Sequence, residues 1–248
     1  MIVALRNLMR PSGRIVTAIN IFCLTIGLTV SSLIMLYVLN ELSYDCFHKD
    51  ADRIFRIAVK GKTSGKPFRF AVSPAPLAPA LRKKSEKVET ATRFFDFSQN
   101  VFFRYKDEKF YENNIKYADT YFFKVFTYKW LYGKPETALQ KPYSAVITQQ
   151  TAAKYFGDEN PLGKTIYWNN QYEYKITGVV HETPDNSHFS FDILISFSTL
   201  QYAYHEQKID DWQSLSFYSY VKLKPDVDAE TFEQSIIGIL KKKIGENL

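Results

Sequence analysis

The chain has 248 residues, enough for a membrane anchor plus one large or two small domains with a real core. Its formal charge of +6 owes half its excess to Arg6, Arg10 and Arg14, leaving 29 basic against 26 acidic side chains. That remainder reads as dispersed: Arg82, Lys83 and Lys84 are balanced by Glu86 and Glu89, and Lys241–Lys243 closes an amphipathic helix, so nucleic acid is not an expected partner.

Ile15 to Asn40 runs 26 residues without a charge. About 20 apolar residues already cross a hydrocarbon core of roughly 30 Å, so a helix from Ile15 to about Leu39 is expected to span a bilayer. Thr25, Thr29, Ser31 and Ser32 can bond back to helix carbonyls, whereas the Asn20 amide needs a neighbouring helix or the headgroups. The run is too long for a cleaved signal, and Cys23 follows Phe22, which excludes a lipoprotein signal. With basic residues before the run and no acid before Glu41, the positive-inside rule places the N-terminus in the cytoplasm and the bulk outside. Ile2, Leu5 and Met9 suit a short helix on the inner leaflet.

Cys23 and Cys46 flank most of a bilayer thickness and cannot bridge within one chain. Aromatics at 16% in a mixed pattern indicate packed sheets. Beyond a polar helical or turn segment, Glu41–Arg53, a first strand is expected over Ile54–Val59 and a turn over Gly61–Lys66. Ser73 is expected to open a helix with Pro74 at its first position, running to about Lys84. Strands follow at Thr90–Phe97, Val101–Tyr105 and Lys109–Tyr117, then a short helix carrying Phe122, Phe123 and Phe126, capped by Asp119 or Thr120.

After a Gly133–Pro142 connection, Ser144–Ile147 is a strand and Thr148 caps the helix Gln149–Phe156, which Gly157 ends in the left-handed position. Strands Thr165–Trp168 and Tyr172–Val180 are joined by an Asn169-Asn170 turn. A loop over His181–His188, an extended stretch Phe189–Phe197, a strand Phe217–Leu223 and a helix Ala229–Lys243 complete an α+β pattern.

Phosphate loops and the motifs GxSxG, HExxH and CxxC are missing from the sequence. Asp45, His48 and Asp52 would share one side of a helix, but one histidine with Lys49 and Arg53 nearby fits a capping or ion-pair role better than a metal site. Asp185, Asn186, Ser187 and His188 are turn formers, and three neighbours in one turn cannot build a catalytic triad. His181 and His205 have no visible partner.

NIFCLTIGLTVSSLIMLYVLNELSYDCFHKDADRIFR (Asn20–Arg56), TQQTAAKYFGDENPLGKTI (Thr148–Ile166) and TGVVHETPDNSHFSFDILISFSTL (Thr177–Leu200) resemble three blocks of the macrolide-exporter-like (MacB-type, FtsX-like) permeases of ABC transporters. The order and spacing of the blocks carry the resemblance. It implies structural or coupling roles for Asn20, Gly27, Glu41, Tyr44, Asp45, Phe47, His48, Asp52 and Arg53 in the first. In the second it marks Tyr155, Phe156, Gly157, Pro161, Gly163 and Lys164, and in the third Gly178, Pro184, Asn186, Ser187, His188 and Phe191.

The resemblance implies a two-lobed α/β extracytoplasmic domain after the first of four membrane helices. It also implies pairing with a second permease copy or homologue, and a cytoplasmic ABC ATPase subunit that hydrolyses ATP. A periplasmic adaptor or lipoprotein would be the outer partner. No catalytic residue, metal or cofactor is implied in the permease. The expected organisation is a cytoplasmic segment 1–14, a membrane helix 15–42 in the inner membrane, and a domain 43–248 incomplete at its C-terminal end, unable to transport alone. The alternative is a single-span, membrane-anchored ligand-sensing or binding module. A membrane-anchored hydrolase is disfavoured, because no nucleophile–base constellation is visible.

Overall fold

The structure, a computed structural model, describes residues 11–63, 66–97, 99–203 and 209–244. The segment 2–10, the tip of the Gly61–Lys66 turn and His205 lie outside them. Two units are distinguished, Met1–Asp45 and Cys46–Leu248.

The first unit is the helix α1 (Pro11–Leu42). Proline at a first helical position wastes no hydrogen bond, so the helix starts before the charge-free run. Arg14–Leu42 is long and apolar enough to cross a membrane. The expected back-bonding is present: Thr25 Oγ1 donates to the Ile21 carbonyl at 2.7 Å and Thr29 Oγ1 to that of Thr25 at 2.8 Å. Asn20 and Gly27 are exposed on α1, and a Cβ added at Gly27 would meet nothing within 4 Å. After Leu42 the Ser43 N–H still reaches the Leu39 carbonyl at 3.1 Å, and Asp45 then turns left-handed at φ 59°.

The second unit is a mixed α/β domain. A 3-10 turn (Ala51–Arg53) leads to β1 (Ile54–Arg56), β2 (Val59–Thr63), β3 (Lys66–Phe70) and β4 (Ser73–Pro74), then α2 (Leu77–Lys84). Next come β5 (Val88–Phe97), β6 (Val101–Tyr105), β7 (Glu108–Glu112), β8 (Ile115–Ala118), α3 (Phe122–Val125) and β9 (Trp130–Gly133). The chain continues through β10 (Ser144–Thr148), α4 (Gln149–Phe156), β11 (Thr165–Trp168), β12 (Tyr172–Val180) and β13 (Ile193–Ser196). It closes with α5 (Ser198–Ala203), β14 (Leu215–Leu223) and α6 (Ala229–Ile244).

One twelve-stranded sheet runs β1-β14-β5-β8-β13-β10-β12-β11-β6-β7, with β4 also on β14 and β9 also on β12. β8–β13 and β10–β12 are parallel; the other pairs are antiparallel. β2 and β3 form a separate two-stranded ribbon.

Several expectations are corrected. The single strand over Ile54–Val59 is two, because β1 follows β14 and β2 leaves the sheet for the ribbon. The expected Gly61–Lys66 turn is narrower, since β2 runs to Thr63 and β3 starts at Lys66. Ser73 and Pro74 are extended rather than helical: the Ser73 hydroxyl, fully buried, bonds Ser219 Oγ at 2.6 Å and the Phe217 carbonyl at 3.2 Å, which outbids a cap. The strand over Lys109–Tyr117 breaks at Asn113-Asn114, so β7 and β8 pair with different neighbours.

Thr148 does cap α4, accepting from the Thr151 N–H at 3.3 Å. Gly157 has φ 57° but ψ −126°, outside the left-handed helical well and in a region glycine alone enters cheaply. Asn169 and Asn170 both turn left-handed, at φ 48° and 57°, and the Gln171 N–H closes that turn on the Trp168 carbonyl at 2.9 Å. At α3, Asp119 serves without being the N-cap, which is Tyr121: its carboxylate takes the Tyr121 N–H at 3.0 Å.

Candidate coupling site

His48 follows α1 by only a few residues of sequence, and its ring is buried, at 5% exposure. Its Nδ1 accepts the Thr127 N–H at 3.1 Å, and the Lys49 N–H donates to Thr127 Oγ1 at 3.0 Å. An accepting Nδ1 places the proton of the neutral ring on Nε2. The ring lies 4.1 Å from Phe47, 5.2 Å from Phe126 and 6.5 Å from Tyr128 between centroids. Thus the first block's Phe47-His48 pair is seated on the residues just after α3. The helical face of Asp45, His48 and Asp52 does not form, because helix α1 ends at Leu42 and Asp45 turns left-handed. To the capping or ion-pair role expected of His48 the structure adds this buried backbone bond.

The third block arrives at the same place. Phe126 is 4.9 Å from Phe189 and 5.0 Å from Tyr220, and Phe122 is 6.1 Å from Phe191. His188 sits edge-on to Phe189 at 4.9 Å, with Nε2 2.5 Å from the Tyr220 hydroxyl. The Ser187 N–H closes the loop on the Pro184 carbonyl at 3.1 Å, so Pro184, Asn186 and Ser187 shape the turn that presents His188 and Phe189. Edge-to-face rings of this kind add about 0.5–1.5 kcal/mol per pair beyond burial. Gly178 serves the same side of the fold differently: it pairs with Gly133 across β12–β9, and a Cβ there would overlap the Trp130 ring.

The second block is packed elsewhere. Tyr155 donates to Glu112 Oε1 at 2.8 Å, as does Lys154 Nζ, in a different core cluster. Burial, reinforced by the Glu112 charge, raises the Tyr155 phenol well above its ordinary pKa. Phe156 meets Tyr105 edge-on at 4.5 Å. Beyond Gly157, the Gly163 N–H (φ 84°) bonds the Ile176 carbonyl at 2.7 Å, Pro161 is buried, and Lys164 pairs with Glu159.

Arg53 is the hub of a charged node. It reaches Asp50 and Glu89 at 2.6 Å each and the Leu223 carbonyl at 2.9 Å, while Lys222 reaches the same two acids at 2.6 and 2.9 Å. The Lys222 and then the Arg53 hydrogen bonds hold Asp50 down to about 2, and Lys222 likewise lowers Glu89. Asp52 is exposed. Thr127, Glu89 and Lys222 were invisible as partners in the sequence, because each lies 36 or more residues from the group it holds, and no local pattern marks such pairs.

The fold and site define a class of protein in which an apolar helix long enough to cross a membrane is followed in sequence by a mixed-sheet domain that seats two sequence blocks on one aromatic cluster. Residues 17–239 match the MacB-like periplasmic core domain, and the chain belongs to that family of ABC transporter permease domains. Among solved structures, a domain assigned as a permease from Porphyromonas gingivalis is similar at 22% identity and TM-score 0.68, over 79% of this chain and 83% of that one. The periplasmic region of MacB from Actinobacillus actinomycetemcomitans is similar at 19% identity and TM-score 0.57, over 79% and 86%. At these identities the likeness is one of fold. No curated protein sequence matches significantly.

Proposed function

We propose that this chain supplies the first membrane span and the periplasmic core of an ABC permease, and that the domain relays ATPase-driven motion of the membrane helices outward. ATP hydrolysis belongs to a separate cytoplasmic subunit, a second permease copy completes the membrane part, and a periplasmic adaptor or lipoprotein receives the motion. The observation that carries this reading is the His48 seat. The chain following the span is fastened to the domain's aromatic core by two hydrogen bonds and tilted ring contacts within a few residues, so a displacement there is passed into packed side chains rather than lost in a loose linker.

The test uses the permease with its ATPase in proteoliposomes. A spin label is placed at the exposed Leu162, as Leu162→Cys in a Cys23→Ser/Cys46→Ser background. ATP should change its mobility, and His48→Ala should abolish the change while hydrolysis continues. A label that ignores ATP in the parent protein removes the relay. Topology is tested separately in cells: Cys46, which is exposed, should react with a membrane-impermeant maleimide from the periplasmic side. Labelling only after the inner membrane is broken would reverse the orientation.

A further inference from the structure

One cation of the second unit sits in an apolar sheet face with no acid bonded to it among the described residues. Along β5, Ala91, Arg93, Phe95 and Phe97 alternate onto the same face. Ala91 shares a core cluster with Leu77, Leu81 and Val221, whereas Phe95 and Phe97 pack against the cluster that holds Phe197 and Phe217. Arg93 therefore stands at the seam of two apolar clusters. Opposite it on β14 is Ser219, a hydroxyl bonded to Ser73 at 2.6 Å, not a carboxylate.

Arg93 Nη1 donates to the Ala75 carbonyl, and the guanidinium carbon lies 3.9 Å from the centroid of the Phe197 ring. Nε is shielded from water and has no hydrogen-bond partner, which leaves Nη2 as the nitrogen that reaches the surface without an acceptor among the described residues. Burial is the largest influence on the guanidinium and pulls it down to about 10, so it is still a cation at neutral pH. Asp119, the carboxylate that attracts Arg93 most, is occupied. Its Oδ2 takes Arg82 Nη1 at 3.0 Å, and its Oδ1 takes the Thr92 hydroxyl at 2.7 Å and the Tyr121 N–H at 3.0 Å. Arg82 repels Arg93, and Asp210 attracts it from an exposed position. A buried charge without a bonded partner is costly, and a chain that breaks an apolar pattern in this way marks a functional position.

The place in the fold is suited to a ligand. β8 and β13 run parallel and end at Ala118 and Ser196. The Arg93 carbonyl takes the Asp119 N–H at 3.2 Å, and the Ala118 carbonyl takes the Phe197 N–H at 2.7 Å, so Arg93 and Phe197 meet just beyond the carboxyl ends of that pair. In open α/β sheets, ligands bind outside the carboxyl ends of the strands.

We propose that Arg93 anchors a binding site for a small organic monocarboxylate, its carboxylate on Nη2 and its apolar body along Phe95 and Phe97, both only partly buried. An oxygen on Nη2 brings the second oxygen of a carboxylate alongside Nε, the planar fork that a guanidinium matches. Arg82 and Arg93 against Asp119 leave one positive charge, which suits a monoanion better than a phosphate dianion. Filling the site gives the guanidinium the partner it lacks and ties together the two clusters it separates. Neither an ATPase nor another subunit is needed, so the site stands or falls apart from the relay proposed above.

The test titrates the full chain in detergent with sodium benzoate, followed by titration calorimetry and by Tm. Benzoate should bind saturably, at one site per chain, and raise Tm. Benzamide, the same ring without the charge, and sodium chloride at equal concentration should do neither. Arg93→Met should weaken benzoate binding by about tenfold or more while leaving the benzoate-free Tm within a few degrees of the parent, because an unmatched buried charge leaves together with the Nη1 bond. Arg93→Lys keeps the charge without the fork and should weaken binding severalfold; it decides the matter if the Met variant does not fold. No saturable benzoate binding at millimolar concentrations, an equal response to benzamide or chloride, or benzoate affinity unchanged in a folded variant would each overturn the site.

Discussion

His48 and Arg53 stand five residues apart and fasten the same stretch of chain to the domain by opposite means. His48 is buried among rings and its Nδ1 accepts a backbone N–H. Arg53 keeps about a fifth of its side chain in water and joins three other charges. The first anchorage draws on burial and dispersion, which are not screened as exposed charges are. The second draws on directional bonds that fix the register of β1 against β14 and β5, yet exposed ion pairs are worth little net energy. A seat that resists being pulled and a node that sets alignment are different mechanical parts, and they should fail differently.

The largest effect is expected at the ring shared by both histidine-bearing blocks. Phe126, at 1% exposure, touches His48, Phe189 and Tyr220. Phe126→Ala should cost about 3–5 kcal/mol, visible by calorimetry as a Tm drop of roughly 10 °C. A loss under about 1 kcal/mol would mean the seat is not part of the cooperative core. His48→Ala comes next, at about 2–3 kcal/mol, because it removes ring contacts and leaves the Thr127 N–H without its acceptor. His48→Asn separates the two contributions: its carbonyl can stand where Nδ1 stood, so it should recover about 1 kcal/mol. If Asn is no better than Ala, the hydrogen bond contributes nothing and packing alone holds the segment.

These two parts were unequally legible in the sequence. Strands β6, β11 and β12 and helix α4 carry their own signals, namely aromatic and β-branched runs, the Asn169-Asn170 turn and the Thr148 cap, and they form where expected. β9 and α5 were missed because each is short and its pattern is set by tertiary neighbours, Gly178 and Val179 for β9 and the end of β13 for α5. Ser73-Pro74 imitates a helix start, and only Ser219, 146 residues away, reveals that the hydroxyl is occupied. His48 was recognisable as a special residue, but its partner Thr127 is 79 residues on in a segment without any marked feature. Local chemistry is written in the order of residues; the closure of long loops is not.

The smallest effect sharpens the comparison from the charged side. Lys222 first, then Arg53, hold Asp50 at about 2 against an unfolded value near 4, while burial opposes them weakly. A depressed carboxylate stabilises the folded state above its unfolded pKa and loses that contribution as pH falls through the folded value. The node should therefore be at full strength above about pH 4 and vanish towards pH 2, and Glu89, lowered by the same cations, adds in the same direction. Lys222 is raised by Asp50 and Glu89 although burial pulls it down, so its share persists until the pH passes the ordinary lysine range. Asp50→Asn should leave a shallower fall in Tm between pH 4 and pH 2 than the parent shows, with the His48 variants parallel to the parent over that window. Equal slopes for Asp50→Asn and the parent would mean that Asp50 titrates alike in the folded and unfolded chains, and that Arg53 aligns β1 through Glu89 and the Leu223 carbonyl.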